Sequence, residues 1–219
     1  MAGERLEAVN SLLPTIKAAL QMNAFARDLL RVGLISFADD ARVELPIADL
    51  TTLEVLPVLE PRGATTYSGA LYALRAQIEN DYAMLKADGY LVKRPIAVFL
   101  SDGSPTESAE QWQAAFAALT YPSFKQFPNL IPIGIGECDR EVIKALRWRK
   151  EGRAPAPALF PKDGVDVGAA LSELIQNLAQ SVVNSAATLG SGASEAGGHM
   201  AEVTTALSQD PSWDHELDD

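Results

Sequence analysis

Cysteine is almost absent: Cys138 is the single one in 219 residues. One thiol permits no internal disulfide, and such usage fits a reducing compartment. A chain this long needs no staple, because it can bury a core of its own. Histidine is nearly as scarce, limited to His199 and His215 near the C-terminal end. Catalysis by a Ser or Cys nucleophile with a histidine base is therefore disfavoured. No apolar run approaches the roughly 20 residues of a membrane span. Met1-Ala2-Gly3-Glu4-Arg5 lacks the apolar centre of a secretory signal. Basic residues are outnumbered, giving a net charge of −11, whereas nucleic-acid binders need a basic surface. No Gly-x-x-x-x-Gly-Lys phosphate loop occurs, nor any internal repeat. A soluble cytoplasmic protein, acting on neither nucleic acid nor membrane, is the expectation.

What is present is a hydrophobic content of 47% arranged in periodic segments. Leu6, Val9, Leu13, Ile16 and Leu20 recur at three and four residues, which predicts one amphipathic helix kinked at Pro14. Arg31–Phe37 and Ala41–Leu45 predict two strands of a hairpin around Asp39-Asp40. A loop containing Pro61 and Gly63 precedes a helical stripe of Leu71, Leu74, Ile78, Tyr82 and Leu85. Pro95–Leu100 is continuously apolar, the pattern of a strand covered on both faces. Ser108 and Gln111 form a capping box for a helix carrying Trp112, Phe116 and Leu119. Leu130–Ile135 is a further buried strand, and Asp139 caps a helix running to about Lys150. A short strand near Ala158–Phe160 and a helix opened by Asp166, with Val167, Leu171, Leu174, Leu178 and Val182 inward, complete the pattern. Alternating strands and helices imply a mainly parallel sheet with helices on both faces, and such sheets bind ligands at the carboxyl ends of their strands.

The last thirty residues, from Gly190, hold seven acids and no Lys or Arg. Residues 188–219 are expected to be a disordered acidic tail following a domain over residues 1–187. Trp213 among Asp210, Asp214, Glu216 and Asp218 could serve as a docking motif within it. Arg140, Lys144, Arg147, Arg149, Lys150 and Arg153 gather around one helix. They read as a solvated face, or as a surface for an acidic partner or for the tail itself.

Two loops could carry chemistry. Asp102 follows an apolar strand and opens a Gly-x-Pro turn, where a carboxylate can meet a cation or simply start the turn. Thr65 and Thr66 follow Gly63 and precede a helix, a place for N-caps as well as for ligands. The succession Arg31–Phe37, then Gly63-Ala64-Thr65-Thr66-Tyr67-Ser68-Gly69-Ala70-Leu71, then Phe99-Leu100-Ser101-Asp102-Gly103-Ser104-Pro105-Thr106, resembles a von Willebrand factor A (vWA) domain. Within that family the Asp-Gly-x-Pro-Thr turn is most similar to bacterial tellurium-resistance, TerY-type proteins. The resemblance runs from Met1 to about Ser185. It implies a Rossmann-like three-layer α/β/α fold, with a mainly parallel sheet and one antiparallel edge hairpin. It also implies a non-enzymatic protein-interaction module in a stress-response setting. The module would capture a partner's acidic residue through Mg²⁺ or Mn²⁺ at a metal-ion-dependent adhesion site, with Thr65 and Asp102 as metal ligands.

The family's first motif, Asp-x-Ser-x-Ser, occurs nowhere in the chain. Met1-Ala2-Gly3-Glu4-Arg5-Leu6-Glu7-Ala8-Val9-Asn10 resembles the continuation of that motif, so the resemblance implies a chain begun one residue too late. Metal binding is then expected to be weak or absent. The missing strand would lie between Arg31–Phe37 and Pro95–Leu100, leaving a gap of about two strand spacings, roughly 9.6 Å. Either the neighbours close up or an extended segment enters by strand addition. Two other readings of the chain are a small α/β hydrolase or phosphotransferase using Asp102, and a metal-independent scaffold.

Overall fold

A computed structural model describes residues 2–148, 157–190 and 213–216. In chain order the first elements are α1 (Glu4–Asn10), α2 (Leu12–Met22), α3 (Ala24–Leu29), β1 (Val32–Phe37), β2 (Ala41–Ala48) and α4 (Tyr67–Ala87). Then follow β3 (Ile96–Ser101), α5 (Ala109–Thr120), β4 (Asn129–Gly134), α6 (Arg140–Ala145), β5 (Ala158–Pro161), α7 (Val167–Gly190) and β6 (Trp213–Glu216). The chain is α/β, and its contacts divide it into two compact units.

The first unit comprises residues 1–32, 48–61 and 159–218. Its core forms where α7 packs against α1, α2 and α3, burying Leu13, Ile16, Leu20, Ala26, Leu171 and Leu174. The single kinked helix expected at the start is two helices, separated at Ser11. Pro14 has no N–H for the Asn10 carbonyl. The ladder therefore restarts at Leu12, with Pro14 in a first turn whose donors go unused in any case. Asn10 instead clasps Leu59, donating to its carbonyl at 3.0 Å and accepting its N–H at 2.8 Å. Asp166 starts α7 as expected, accepting the Ala169 N–H at 2.7 Å.

The tail differs from the expectation in its described residues. α7 continues to Gly190, and Trp213–Glu216 form a strand beside β5. Composition argued for disorder, but one indole buries roughly 150–250 Å², enough to dock a four-residue strand. Trp213 is 1% exposed, and its Nε1 has no hydrogen-bond partner among the described residues. Residues 191–212 and 217–219 lie outside the described residues.

The second unit comprises residues 33–47 and 62–158. β1 and β2 form a two-stranded antiparallel hairpin, closed by the Ala38 N–H on the Asp40 carbonyl at 2.9 Å. β3 pairs in parallel with β4, from Ile96 opposite Asn129 to Ser101 opposite Gly134. α4 packs on α5, and α6 packs on β4. Tyr67, Leu71, Trp112, Leu119, Ile131, Ile133 and Ile143 fill this core. The Ser108 N–H is accepted by Gln111 Oε1 at 3.0 Å, the capping contact read for α5. Asp139 caps α6 through the N–H groups of Glu141 and Val142, at 3.0 and 3.2 Å. That helix stops at Ala145, short of the expected Lys150; Arg149, Lys150 and Arg153 lie outside the described residues.

β3 corrects one expectation. Its apolar run predicts cover on both faces, yet Val98 is 39% exposed and Ile96, Ala97 and Leu100 are only half-buried. β4, of similar composition, is buried from Leu130 to Gly134. The reason is topological: among the described residues β3 is the outermost strand of its sheet, and β1 belongs to a separate one.

Candidate functional site at the strand ends

The loop over residues 62–68 is stitched to the hairpin on one side. Arg62 pairs with Asp40, and its Nη2 donates to Ser36 Oγ at 2.8 Å. The Ala64 N–H donates to Asp39 Oδ1 at 2.9 Å. A Cβ on Gly63 would stand 2.8 Å from Asp39 Oδ2, so any larger residue there must push the Asp39 carboxylate aside. Thr66 donates twice to the Ala38 carbonyl, through its N–H at 2.9 Å and its hydroxyl at 2.6 Å. Thr66 occupies the N-cap position of α4 without making a side-chain cap, because its hydroxyl is spent on the hairpin.

On its other side the same loop holds the turn after β3. The Thr106 N–H donates to the Thr65 carbonyl at 2.9 Å, and Thr106 Oγ1 meets the Thr65 N–H at 3.3 Å. Glu107 supplies the cap that Thr66 does not. Its Oε1 accepts the Ser68 N–H at 2.7 Å, and its Oε2 takes the Ser68 hydroxyl. A carboxylate there also suits the positive end of α4. Tyr67 is fully buried and donates from its hydroxyl to the Gly103 carbonyl at 2.8 Å. Ser101 Oγ donates to the same carbonyl at 3.0 Å. Two hydroxyls thus pin the turn that carries Asp102. Burial, reinforced by the charges of Asp139 and Asp102, pushes the Tyr67 phenol up to about 12.

The two residues singled out for metal binding lie on the two loops that Thr106 and Thr65 join. Thr65 Oγ1 lies 3.4 Å from where a Cβ on Gly103 would be, immediately beyond half-buried Asp102. Thr65 and Asp102 offer one hydroxyl and one carboxylate. Mg²⁺ requires a near-octahedral oxygen shell, and among the described residues no group of three His, Cys, Asp or Glu side chains forms one. Asp39 and Glu107 are committed to Ala64 and Ser68. This donor set does not fit a tightly held cation.

Asp39, Tyr67, Ser68 and Glu107 shape the rim without having been singled out. Asp39 read as a turn residue and Tyr67-Ser68 as the start of a helix, while no local pattern marks Glu107. Cys138 is half-buried, and burial pushes its thiol up against the opposing pull of Arg140, as suits a structural thiol. His199 lies outside the described residues, and His215 belongs to β6. Among the described residues no helix is long and apolar enough to cross a membrane. Compared with protein-family models, curated proteins and solved structures, the chain matches none.

Proposed function

We propose that the chain is a non-enzymatic protein-interaction module of vWA type, its sheet mainly parallel within three α/β/α layers. Its binding edge is the rim formed by the two joined loops that carry Thr65 and Asp102. The observation that supports this is the double stitching of the 62–68 loop, to Asp39 and Ala38 on one side and to Thr106 and Glu107 on the other. So many hydrogen bonds hold two exposed loops in a fixed relation, as recognition of a partner requires. By its resemblance to tellurium-resistance proteins, the setting would be cytoplasmic and stress-related. Metal-bridged capture needs oxygen donors beyond Thr65 and Asp102, so this chain alone holds Mg²⁺ or Mn²⁺ weakly. Mn²⁺ titration followed by electron paramagnetic resonance should give a dissociation constant no tighter than about 1 mM; micromolar binding would overturn this.

Immobilised chain, with Thr65→Ala and Asp102→Ala alongside, tests the binding edge. Proteins captured by the parent and lost from both variants support it; identical capture by all three refutes it. A metal-independent scaffold has the short donor set in its favour, and capture that survives EDTA selects it. Turnover of p-nitrophenyl phosphate, lost in Asp102→Asn, would replace both with a phosphotransfer enzyme.

A further inference from the structure

The sheet does not stop at β5. The strand Trp213–Glu216, β6, is hydrogen-bonded beside it, although residues 191–212 separate that segment from the end of α7. Leu159, Phe160 and Trp213 all belong to the first unit. Leu159 and Phe160 are wholly buried. Trp213, 1% exposed, is the largest of the fully buried side chains among the described residues. The segment is thus seated like a bound peptide, with one deep anchor and a main chain added to a strand edge.

Its hold is slight. Trp213 is the one apolar residue in Trp213-Asp214-His215-Glu216, and Asp210, Asp218 and Asp219 flank it without any Lys or Arg. Two costs oppose the gain from the indole. Four residues must be ordered, and Trp213 Nε1 is buried with no hydrogen-bond partner among the described residues. By contrast β4 buries Leu130, Ile131 and Ile133 together. What keeps so short a segment in place is its tether, which supplies it at an effective concentration of about 1 mM. The same contacts are open to an identical segment from outside, and exchange of an identical element is a low-cost route to association. Residues 191–212 can reach at most about 75 Å, ample to pass the segment between molecules. We infer that β5 is an exchangeable docking site for a tryptophan-centred acidic strand. The chain's own segment 213–216 fills it, and the same segment of a second copy can enter in its place. The inference does not involve the Thr65–Asp102 rim and stands or falls apart from it.

The probe is a fluorescein-labelled peptide of residues 210–219, Asp-Pro-Ser-Trp-Asp-His-Glu-Leu-Asp-Asp. Its control has alanine in place of the tryptophan. Full-length chain with Trp213→Ala, whose own segment has lost its anchor, is compared with the parent chain by fluorescence anisotropy. The variant should bind the probe at least about tenfold more tightly than the parent, as competition from a tethered segment requires. Neither chain should bind the control. Equal affinity for probe and control, or equal affinity of parent and variant, would overturn the inference. A second reading uses the parent chain carrying 5-fluorotryptophan at its three tryptophans. Excess unlabelled peptide should shift one ¹⁹F signal towards that of a solvated indole, and three unmoved signals would overturn the inference. Should the variant lose its far-UV circular dichroism, the ¹⁹F reading decides alone.

Discussion

Gly63→Ala offers a sharp test of how the rim is held. An alanine methyl would stand 2.8 Å from Asp39 Oδ2 and 3.2 Å from Oδ1, well inside contact distance. The carboxylate must swing away and so release the Ala64 N–H, which it now accepts at 2.9 Å. A hydrogen bond to a charged group contributes roughly 1.5 kcal/mol at the weaker end of its range, suited to an exposed pair. Opposing this, alanine reduces the freedom of the unfolded chain and stabilises the fold by about 0.4–1 kcal/mol. The net expectation is a loss of roughly 0.5–1 kcal/mol, a fall in Tm of about 1–4 °C for a chain of this size. In an Asp39→Ala background the clash and the hydrogen bond are both gone. There Gly63→Ala should stabilise by about 0.4–1 kcal/mol. A double-mutant cycle by urea denaturation reads the coupling directly, with about 1.5 kcal/mol expected. The same effect of Gly63→Ala in both backgrounds would refute the proposed Asp39 contact.

Glu107→Ala removes both acceptors from Ser68 at the start of α4 and should cost about 1–2 kcal/mol in urea denaturation; Glu107→Gln should recover part of this, and an unchanged midpoint in Glu107→Ala would exclude the cap. Tyr67 predicts an alkaline instability. Its folded pKa is raised to about 12, so the unfolded phenol ionises from pH ~10 while the folded one stays protonated. The stabilisation is therefore present below pH ~10 and is lost towards pH 12, at about 1.4 kcal/mol per pH unit in between. Urea midpoints at pH 9 and pH 11 should fall more steeply for the parent chain than for Tyr67→Phe; parallel falls would refute the assignment.

Caps were legible because each acts within a few residues. Gln111 serves Ser108, Asp139 serves Glu141, and Asp166 serves Ala169. The contacts that build the rim are of another kind. Asp39 meets Ala64 and Glu107 meets Ser68 across long stretches of chain, so neither carboxylate could be matched to its partner by spacing. Thr65 and Asp102 were legible as types in their loops. The joining of their two loops depends on the Thr65–Thr106 hydrogen bonds, which no local pattern encodes. Trp213 was misjudged for the opposite reason: an acidic, Gly- and Ser-rich surrounding averaged away one residue with enough apolar surface to dock by itself.

β3 shows what composition does and does not report. A continuous apolar run states the environment a strand is suited to, here cover on both faces and a neighbour on each edge. It cannot state whether those neighbours exist. β4 has them and is buried from Leu130 to Gly134, whereas β3 pairs on one edge alone among the described residues and leaves Val98 39% exposed. The strand was therefore read correctly as a strand and wrongly as a buried one.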